Sequence, residues 1–512
     1  MSHILIGVDA GTTRIKSVAF DLDGNELHRA ARDNSLQQPE TGWVEQDMER
    51  TWTLTTETIR DVVDALDDPD TIIGIGMTGQ GDGCWLIDEA GDPVRNAILW
   101  NDGRASKYVN EWEESGVAPL IANICGSDLF PGAPLPILQW LADEEPESIE
   151  RAETVFCSKD WLKYRLTGER TTDRSDASLP FIDIETGEYS DIVPELVDVD
   201  GLDEMLPRLE SASEIIGNVT GEGAEATGLP AGTPVVSGAI DIVASGIGSG
   251  AAQKGDSSSV VGTTSLNQLI LDEAPEETEG TGFLFAVEDD FYVRAMASMA
   301  GTPNLDWAFE EIAGGQDFAE IVPDLEEIPI GSDGVLYHPY LSTSGERSPF
   351  LETSARAQFL GMSPEHDREY LLRAVYEGVT LAMRDCFEHM AGDPNRILIS
   401  GGGARSDFWC QMFADCLDTP ISVPVGDEFG AKGVALLAGV ATGVYDDIPS
   451  AAEKTTTVDR TYEPRPERAS QYDEWYEYFS DSYEAMFEVW NAREDALDRI
   501  DGITVPTTSD TN

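Results

Sequence analysis

ILIGVDAGTTRIKSVAFDLDGNEL, residues 4–27, opens on an apolar run, Ile4, Leu5, Ile6 and Val8, that predicts a buried strand. Ile15, Val18 and Phe20 predict a second strand, and Asp23-Gly24 is a strong hairpin signal before a third. Between the first two lies Gly7-Val8-Asp9-Ala10-Gly11-Thr12-Thr13. Gly11 lets backbone approach a ligand without a Cβ in the way. Thr12 and Thr13 place hydroxyl donors beside turn amides, a combination suited to phosphate oxygens. Asp9, at a strand end, is placed to hold a hydrated cation, which points to Mg²⁺. A glycine-threonine hairpin by itself is also simply a turn.

A second copy strengthens the ligand reading. Residues 257–271, SSSVVGTTSLNQLIL, again read strand, Gly262-Thr263-Thr264, strand. The match in both residues and setting predicts a duplicated α/β domain, with two related halves facing a cleft. The separation is far too long for stacked solenoid repeats.

A chain of 512 residues is long enough for two or three domains. Its 97 acidic and 32 basic side chains give a net charge of −65, spread along the whole length. Such self-repulsion is relieved by counterions, and at ~1 M salt the Debye length is about 3 Å. The composition therefore predicts a protein of a salt-rich cytoplasm. With no basic patch, nucleic acid and anionic membranes are excluded as expected partners. The six cysteines show no Cys-x-x-Cys spacing and the five histidines no zinc pattern, so buried free thiols are expected. A strand at the very N-terminus predicts no signal peptide, and residues 434–444 are too short an apolar stretch to span a bilayer.

Strands and helices alternate after the opening hairpins. Asp47 caps a predicted helix through Leu66, and residues 72–77 form a strand ending in Thr78-Gly79-Gln80-Gly81-Asp82-Gly83. A further strand and turn lead through Trp100 into Asn101-Asp102-Gly103-Arg104. Strand-end crevices are where α/β sheets bind ligands. Gln80, Asp82, Asp102 and Arg104 offer donors and acceptors suited to several hydroxyls, although Asp102 and Arg104 equally suit a loop salt bridge. Residues 160–168 read as a helix closed by glycine, and 202–232 as an acidic connector. Asp241 stands alone in an apolar, small-residue run, where a charge needs a partner or a task. It is placed either to cap the following helix or to act as the base for a substrate hydroxyl. Residues 396–400 form a strand running into Gly401-Gly402-Gly403-Ala404-Arg405-Ser406 and a helix, a shelf for a flat or anionic group. Residues 472–500 read as one aromatic-rich helix, with a disordered tail beyond.

These residues together resemble the FGGY carbohydrate kinases of the actin-like ATPase superfamily, nearest the xylulokinase branch. The resemblance runs from Gly7 to about Met486. It implies two RNase H-like domains, residues 1–250 and 251–500, over a cleft that binds ATP with Mg²⁺. Gly11, Thr12 and Thr13 are similar to the first phosphate motif, and Gly262, Thr263 and Thr264 to the second. Gly402, Gly403, Ala404 and Ser406 are similar to the adenosine motif, with Gly301 across the base. Asp241 falls at the catalytic aspartate, and Gln80, Gly81, Asp82, Trp100, Asp102 and Arg104 at the acceptor pocket. Lys159-Asp160 and residues 345–349 are also typical of pentulose kinases. The partners implied are a small sugar and ATP, with a homodimer allowed.

The chain departs from xylulokinases in the sugar pocket. Gln80-Gly81-Asp82-Gly83 stands where they carry Gln-Met-His-Gly, leaving room at Gly81 and a carboxylate at Asp82. Ile240 and Ile242 flank Asp241 where relatives are more polar, which is expected to raise its pKa. The expected activity is ATP-dependent phosphorylation of a pentose-sized sugar, a ketopentose or a related polyol. Two alternatives stand beside it. One is a kinase of a phosphorylated pentose of the ribose 1-phosphate type, using Arg104 and Lys159. The other is an actin-like nucleotide-binding scaffold or sensor without phosphotransfer.

Overall fold

The computed structural model describes residues 3–276, 280–316 and 318–500. The expected disordered tail at 501–512 lies outside them. The hairpin read at residues 4–27 forms as expected. Ile4–Ala10 pairs antiparallel with Arg14–Phe20, and Arg14–Phe20 with Glu26–Asp33. Ile72–Gly79 adds in parallel on the other side of the first strand, with Ile6 opposite Ile75. Pro234–Val236 continues this six-stranded sheet.

The second half repeats the plan. Asp256–Val261 pairs antiparallel with Ser265–Leu271 and in parallel with Arg396–Gly401. Phe291–Ser298 lies outside the hairpin, and Ile421–Pro424 beyond the parallel strand, in a seven-stranded sheet. With the edge strands Ile215–Asn218, Phe283–Glu288 and Val458–Tyr462 set aside, each half orders its five remaining strands third, second, first, fourth, fifth, the α/β duplication predicted from the two Gly-Thr-Thr turns.

Two expectations are corrected. Ile215–Asn218, inside the presumed acidic connector, is the edge strand of the first sheet, paired antiparallel with Pro234–Val236. The reading missed it because only four residues take part, and only Ile216 among them is buried. The single terminal helix is in fact two, Pro466–Glu484 and Phe487–Arg499. The break brings Tyr483 and Phe487 around Phe350, with ring centroids 4.7 and 5.1 Å away. Aromatic packing there outweighs helix continuity.

The halves are joined by two helices rich in small residues, Asp241–Ser249 and Phe429–Ala441. A Cβ on Gly248 would stand 1.9 Å from the Phe429 carbonyl oxygen, and one on Gly433 1.9 Å from that of Ala244. Phe429–Ala441 also lies on the first sheet, where Gly7 would meet the Ala431 oxygen at 1.8 Å and Gly76 the Val434 oxygen at 2.1 Å. A helix from the second half thus packs backbone-to-backbone on the first. Among the described residues, no helix is long and apolar enough to cross a membrane. All six cysteines are buried and unbridged, as expected.

Candidate active site

The acceptor loop begins where Ile72–Gly79 ends. Thr12, in the first turn, accepts a bond at its carbonyl from Gln46 Nε2, 2.9 Å away. Gln46 Oε1 in turn accepts from Gln80 Nε2 at 2.8 Å. A backbone carbonyl can only accept, so this relay orients both amides. It leaves Gln80 Oε1 buried without a partner. Asp82 takes a left-handed conformation, φ +55°, which aspartate tolerates better than most residues. Desolvation first, then the charges of Asp176 and Asp241, push its carboxyl well above the usual range. Trp100 donates from Nε1 to Thr12 Oγ1 at 3.1 Å, tying the acceptor side to the phosphate turn.

Asp102 and Arg104 are paired with each other, as the salt-bridge reading had it. Arg104 donates from Nε and Nη2 to the two Asp102 oxygens, each at 2.9 Å. Arg104 Nη2 also reaches Glu45 at 2.9 Å, and the guanidinium lies 4.1 Å over the Trp43 ring. Asp102 is thereby committed to holding Arg104, while Arg104 Nη1 is buried without a partner. The room expected at Gly81 is absent, because Ile240 Cδ1 stands 2.1 Å from where a Cβ would lie. The isoleucine beside Asp241 has filled the space that a larger residue at 81 would take.

Asp241 opens the helix Asp241–Ser249, but Ile240 is the capping residue and no side-chain cap bond forms. The Asp241 carboxyl itself takes the Ile242 N–H in the first turn. The backbone before it is pinned: the Ile240 N–H donates to Ser175 Oγ at 2.9 Å, and Thr78 Oγ1 to the Ala239 carbonyl at 2.7 Å. Burial, then the charges of Asp9 and Asp176, push the Asp241 carboxyl up to about 7. Asp9 is itself pushed up to about 6 by burial, against the pull of Lys16, whose Nζ lies 3.9 Å away. Asp9 also faces the start of Phe429–Ala441, 3.3 Å from where Gly430 would carry a Cβ. Two carboxyls held partly protonated side by side suit a divalent cation's field.

Behind Asp241 lies a buried network that the sequence reading touched only at Lys159-Asp160. Lys159 Nζ pairs with Asp160 at 3.1 Å and also with Asp173 and Asp176. Lys163 pairs with the same Asp160 at 3.0 Å and donates to the Ser237 carbonyl at 2.7 Å. Cys157, Asp160 and Asp176 are close enough together to hold a metal. The Lys159 ammonium already neutralises two of them, so no cation is needed there. Asp176 keeps one oxygen, Oδ1, without a partner, 3.3 Å from the Cβ position of Gly81. Asp176 and Ser158 were missed; the available signal was lysine scarcity, which makes any lysine in an apolar setting informative.

The nucleotide-side motifs also come together. The Gly262 N–H donates to the Thr264 carbonyl at 3.0 Å, closing a tight turn. Gly301 abuts it: a Cβ there would stand 2.4 Å from the Gly262 oxygen and 2.6 Å from that of Thr263. Val261 is opposite Gly401, so the second turn and the glycine shelf share one sheet end. Gly402 lies beside Thr302, and Gly403 and Ala404 are buried. Ser406 Oγ accepts from the Trp409 N–H at 3.2 Å, capping Asp407–Leu417. Gln268, in the return strand of the second hairpin, lies against Gly246 of the Asp241 helix. Both Gly-Thr-Thr turns are thus fastened to the same crossing helices.

Comparison with known proteins agrees with this arrangement. Residues 4–248 match the FGGY family of carbohydrate kinases, N-terminal domain, and residues 258–442 match its C-terminal domain. The chain is 32% identical over 508 residues to an erythritol kinase of Brucella abortus (strain 2308), covering 95% of this chain and 97% of that one. It is 30% identical to a xylulose kinase of Staphylococcus epidermidis (strain ATCC 12228 / FDA PCI 1200), covering 95% and 97%. The crystal structure of xylulose kinase from Rhodospirillum rubrum matches with a TM-score of 0.88 at 27% identity, covering 96% and 100%. With duplicated actin-like halves, paired Gly-Thr-Thr turns and matches in both domains, the chain belongs to the FGGY family of carbohydrate kinases and is an ATP-dependent sugar kinase.

Proposed function

We propose that this kinase transfers the γ-phosphate of ATP to a hydroxyl of a neutral, pentose-sized ketose or related polyol, with Asp241 as general base. The observation that carries the reading is the state of Asp241. It is a carboxylate that takes the Ile242 N–H at a helix start beside Asp9 and is still pushed up to about 7 by burial. A base poised near the working pH is best matched to accept a hydroxyl proton. Asp9, through water, would hold Mg²⁺, which when bound supplies charge neutralisation on the phosphates. Thr12, Thr13, Gly11 and the matching turn at Gly262, Thr263 and Thr264 present hydroxyl and amide donors to the phosphate chain. Gly301, Gly402, Gly403 and Ala404 border the nucleoside. Gln80, Asp82 and Arg104 orient the acceptor, with Gly81, Trp100 and Asp102 shaping and bracing them.

The bisphosphate-forming alternative loses support. Lys159 is enclosed by three aspartates, and the Arg104 charge is already matched by Asp102 and Glu45, which leaves only Nη1 for a hydroxyl and no free cation for a second phosphate. Asp82, Asp176 and Asp241 would repel one. A scaffold without phosphotransfer would have no use for buried, unpartnered oxygens such as Gln80 Oε1. The relatives named erythritol kinase and xylulose kinase favour acceptors of four or five carbons.

The test is a panel with coupled ADP detection in molar KCl, using ketopentoses, tetritols, glycerol and pentose phosphates. Turnover with a neutral acceptor, lost in Asp241→Ala with ATP binding kept, is expected. Acceptor-independent ATP turnover, or a preference for a pentose phosphate, would overturn the reading.

A further inference from the structure

Around the loop that follows Ile72–Gly79 lie three buried oxygens that no protein group pairs with: Gln80 Oε1, Ser158 Oγ and Asp176 Oδ1. Their residues are 3%, 0% and 5% exposed, so water does not replace the missing partners freely. All three adjoin one turn. Ser158 Oγ is 3.3 Å from the Cβ position of Gly79, Asp176 Oδ1 is 3.3 Å from that of Gly81, and Gln80 lies between. Leaving a buried polar atom unpaired destabilises the fold, and native sites tolerate this where a ligand supplies the partner.

The polarity of these atoms is one-sided. Gln80 is oriented by the relay from the Thr12 carbonyl, so its amide oxygen, an acceptor, is the atom left over. Asp176 is anchored by Lys159 through its other oxygen, which fixes Oδ1 toward the turn. Ser158 alone of the three can also donate. A hydroxyl brings a donor to such a wall. A carbonyl brings only another acceptor and leaves every oxygen it faces unpaired.

We infer that Gln80 and Asp176 are specificity-determining residues that read an alcohol and reject a carbonyl, so that this chain favours an open-chain polyol over the ketose of equal length. This rests on the kinase reading above and narrows its acceptor. Asp176 extends the acceptor pocket to a residue outside the motifs that first located it. Gly81 serves the same end: with no side chain of its own, it leaves Asp176 Oδ1 3.3 Å from its Cβ position, beside Ile240.

The experiment compares kcat/KM for a tetritol against a ketotetrose and a pentitol against a ketopentose, at pH 8 in molar KCl. The polyol is expected to lead by about tenfold or more at one chain length. Asp176→Asn can turn an N–H₂ toward the turn, and it is expected to reduce the polyol-to-ketose ratio by about tenfold. Should Asp176→Asn fail to fold through loss of a Lys159 partner, Gln80→Leu, which breaks no ion pair, is expected to lower the same ratio. A purely structural role would lower both rates together and leave the ratio alone. A wild-type preference for the ketose, or an unchanged ratio in the folded variants, overturns the inference while leaving the kinase reading intact. No turnover of any of the four acceptors overturns the kinase reading as well.

Discussion

The side proposed for the nucleotide and the side proposed for the acceptor are built from different materials. Around Gly301 and Gly401 the walls are backbone, with carbonyls so near that a single added methyl would collide. Around Gln80, Asp82, Asp176 and Asp241 the walls are side chains, several of them buried carboxyls with raised pKa values. A backbone wall suits a ligand that never changes. A side-chain wall can be rewritten by single substitutions.

Five measurements would break or sharpen that contrast. Asp241→Ala is expected to cut kcat by about 10³-fold, within the range for losing a general base, with ATP affinity unchanged. A comparable loss of ATP binding would erase the division between the two sides. Because Asp241 is pushed up to about 7, kcat/KM should fall about tenfold per pH unit below that value, as the base is protonated. A limb near 4 instead would mean the free carboxyl is not crowded as described. Gly301→Ala sets a methyl 2.4 and 2.6 Å from the Gly262 and Thr263 carbonyls and forces the second turn away from position 301. Overpacking of this kind costs ~1–3 kcal/mol, so the KM for ATP should rise about tenfold, with the acceptor KM affected less.

Asp241→Asn bears on stability. The folded carboxyl titrates near 7 against 3.8 for an unperturbed one, so the folded state binds the proton more tightly. Ionisation therefore destabilises the folded protein progressively as pH rises from about 4 to about 7. The variant should raise Tm at pH 8 and lose that advantage at pH 4, read by thermal melts at fixed salt; a pH-independent gain would implicate packing. Gly402→Ala is the mildest. Its Cβ would meet Thr302 Cγ2 at an ordinary 3.6 Å, so Tm should hold. The KM for ATP should rise severalfold, and no rise would move the nucleoside off this shelf.

How much could be read beforehand follows the same division. The two Gly-Thr-Thr turns and the glycine shelf were legible because close backbone approach demands glycine, a local and residue-specific constraint. Asp241 was legible because an isolated charge in an apolar run needs a reason. The pairing of Asp102 with Arg104 was weighed but left open, since its decisive partners, Val44 and Glu45, lie more than fifty residues away. Asp176 was missed for the same reason: its meaning depends on Lys159 and on Ile240 filling the Gly81 space. The edge strand Ile215–Asn218 escaped notice because so short a segment is defined by its neighbour and not by its own pattern.

The crossing at Gly248 and Gly433 carries a mechanical consequence. Main chain rests on main chain there, with no side-chain rotamers to cushion a displacement. The joint behaves as a hard bearing: the lobes can roll upon it but cannot compress it. Every swing of one lobe must then be delivered at full length to the far lip of the cleft, where the substrates enter.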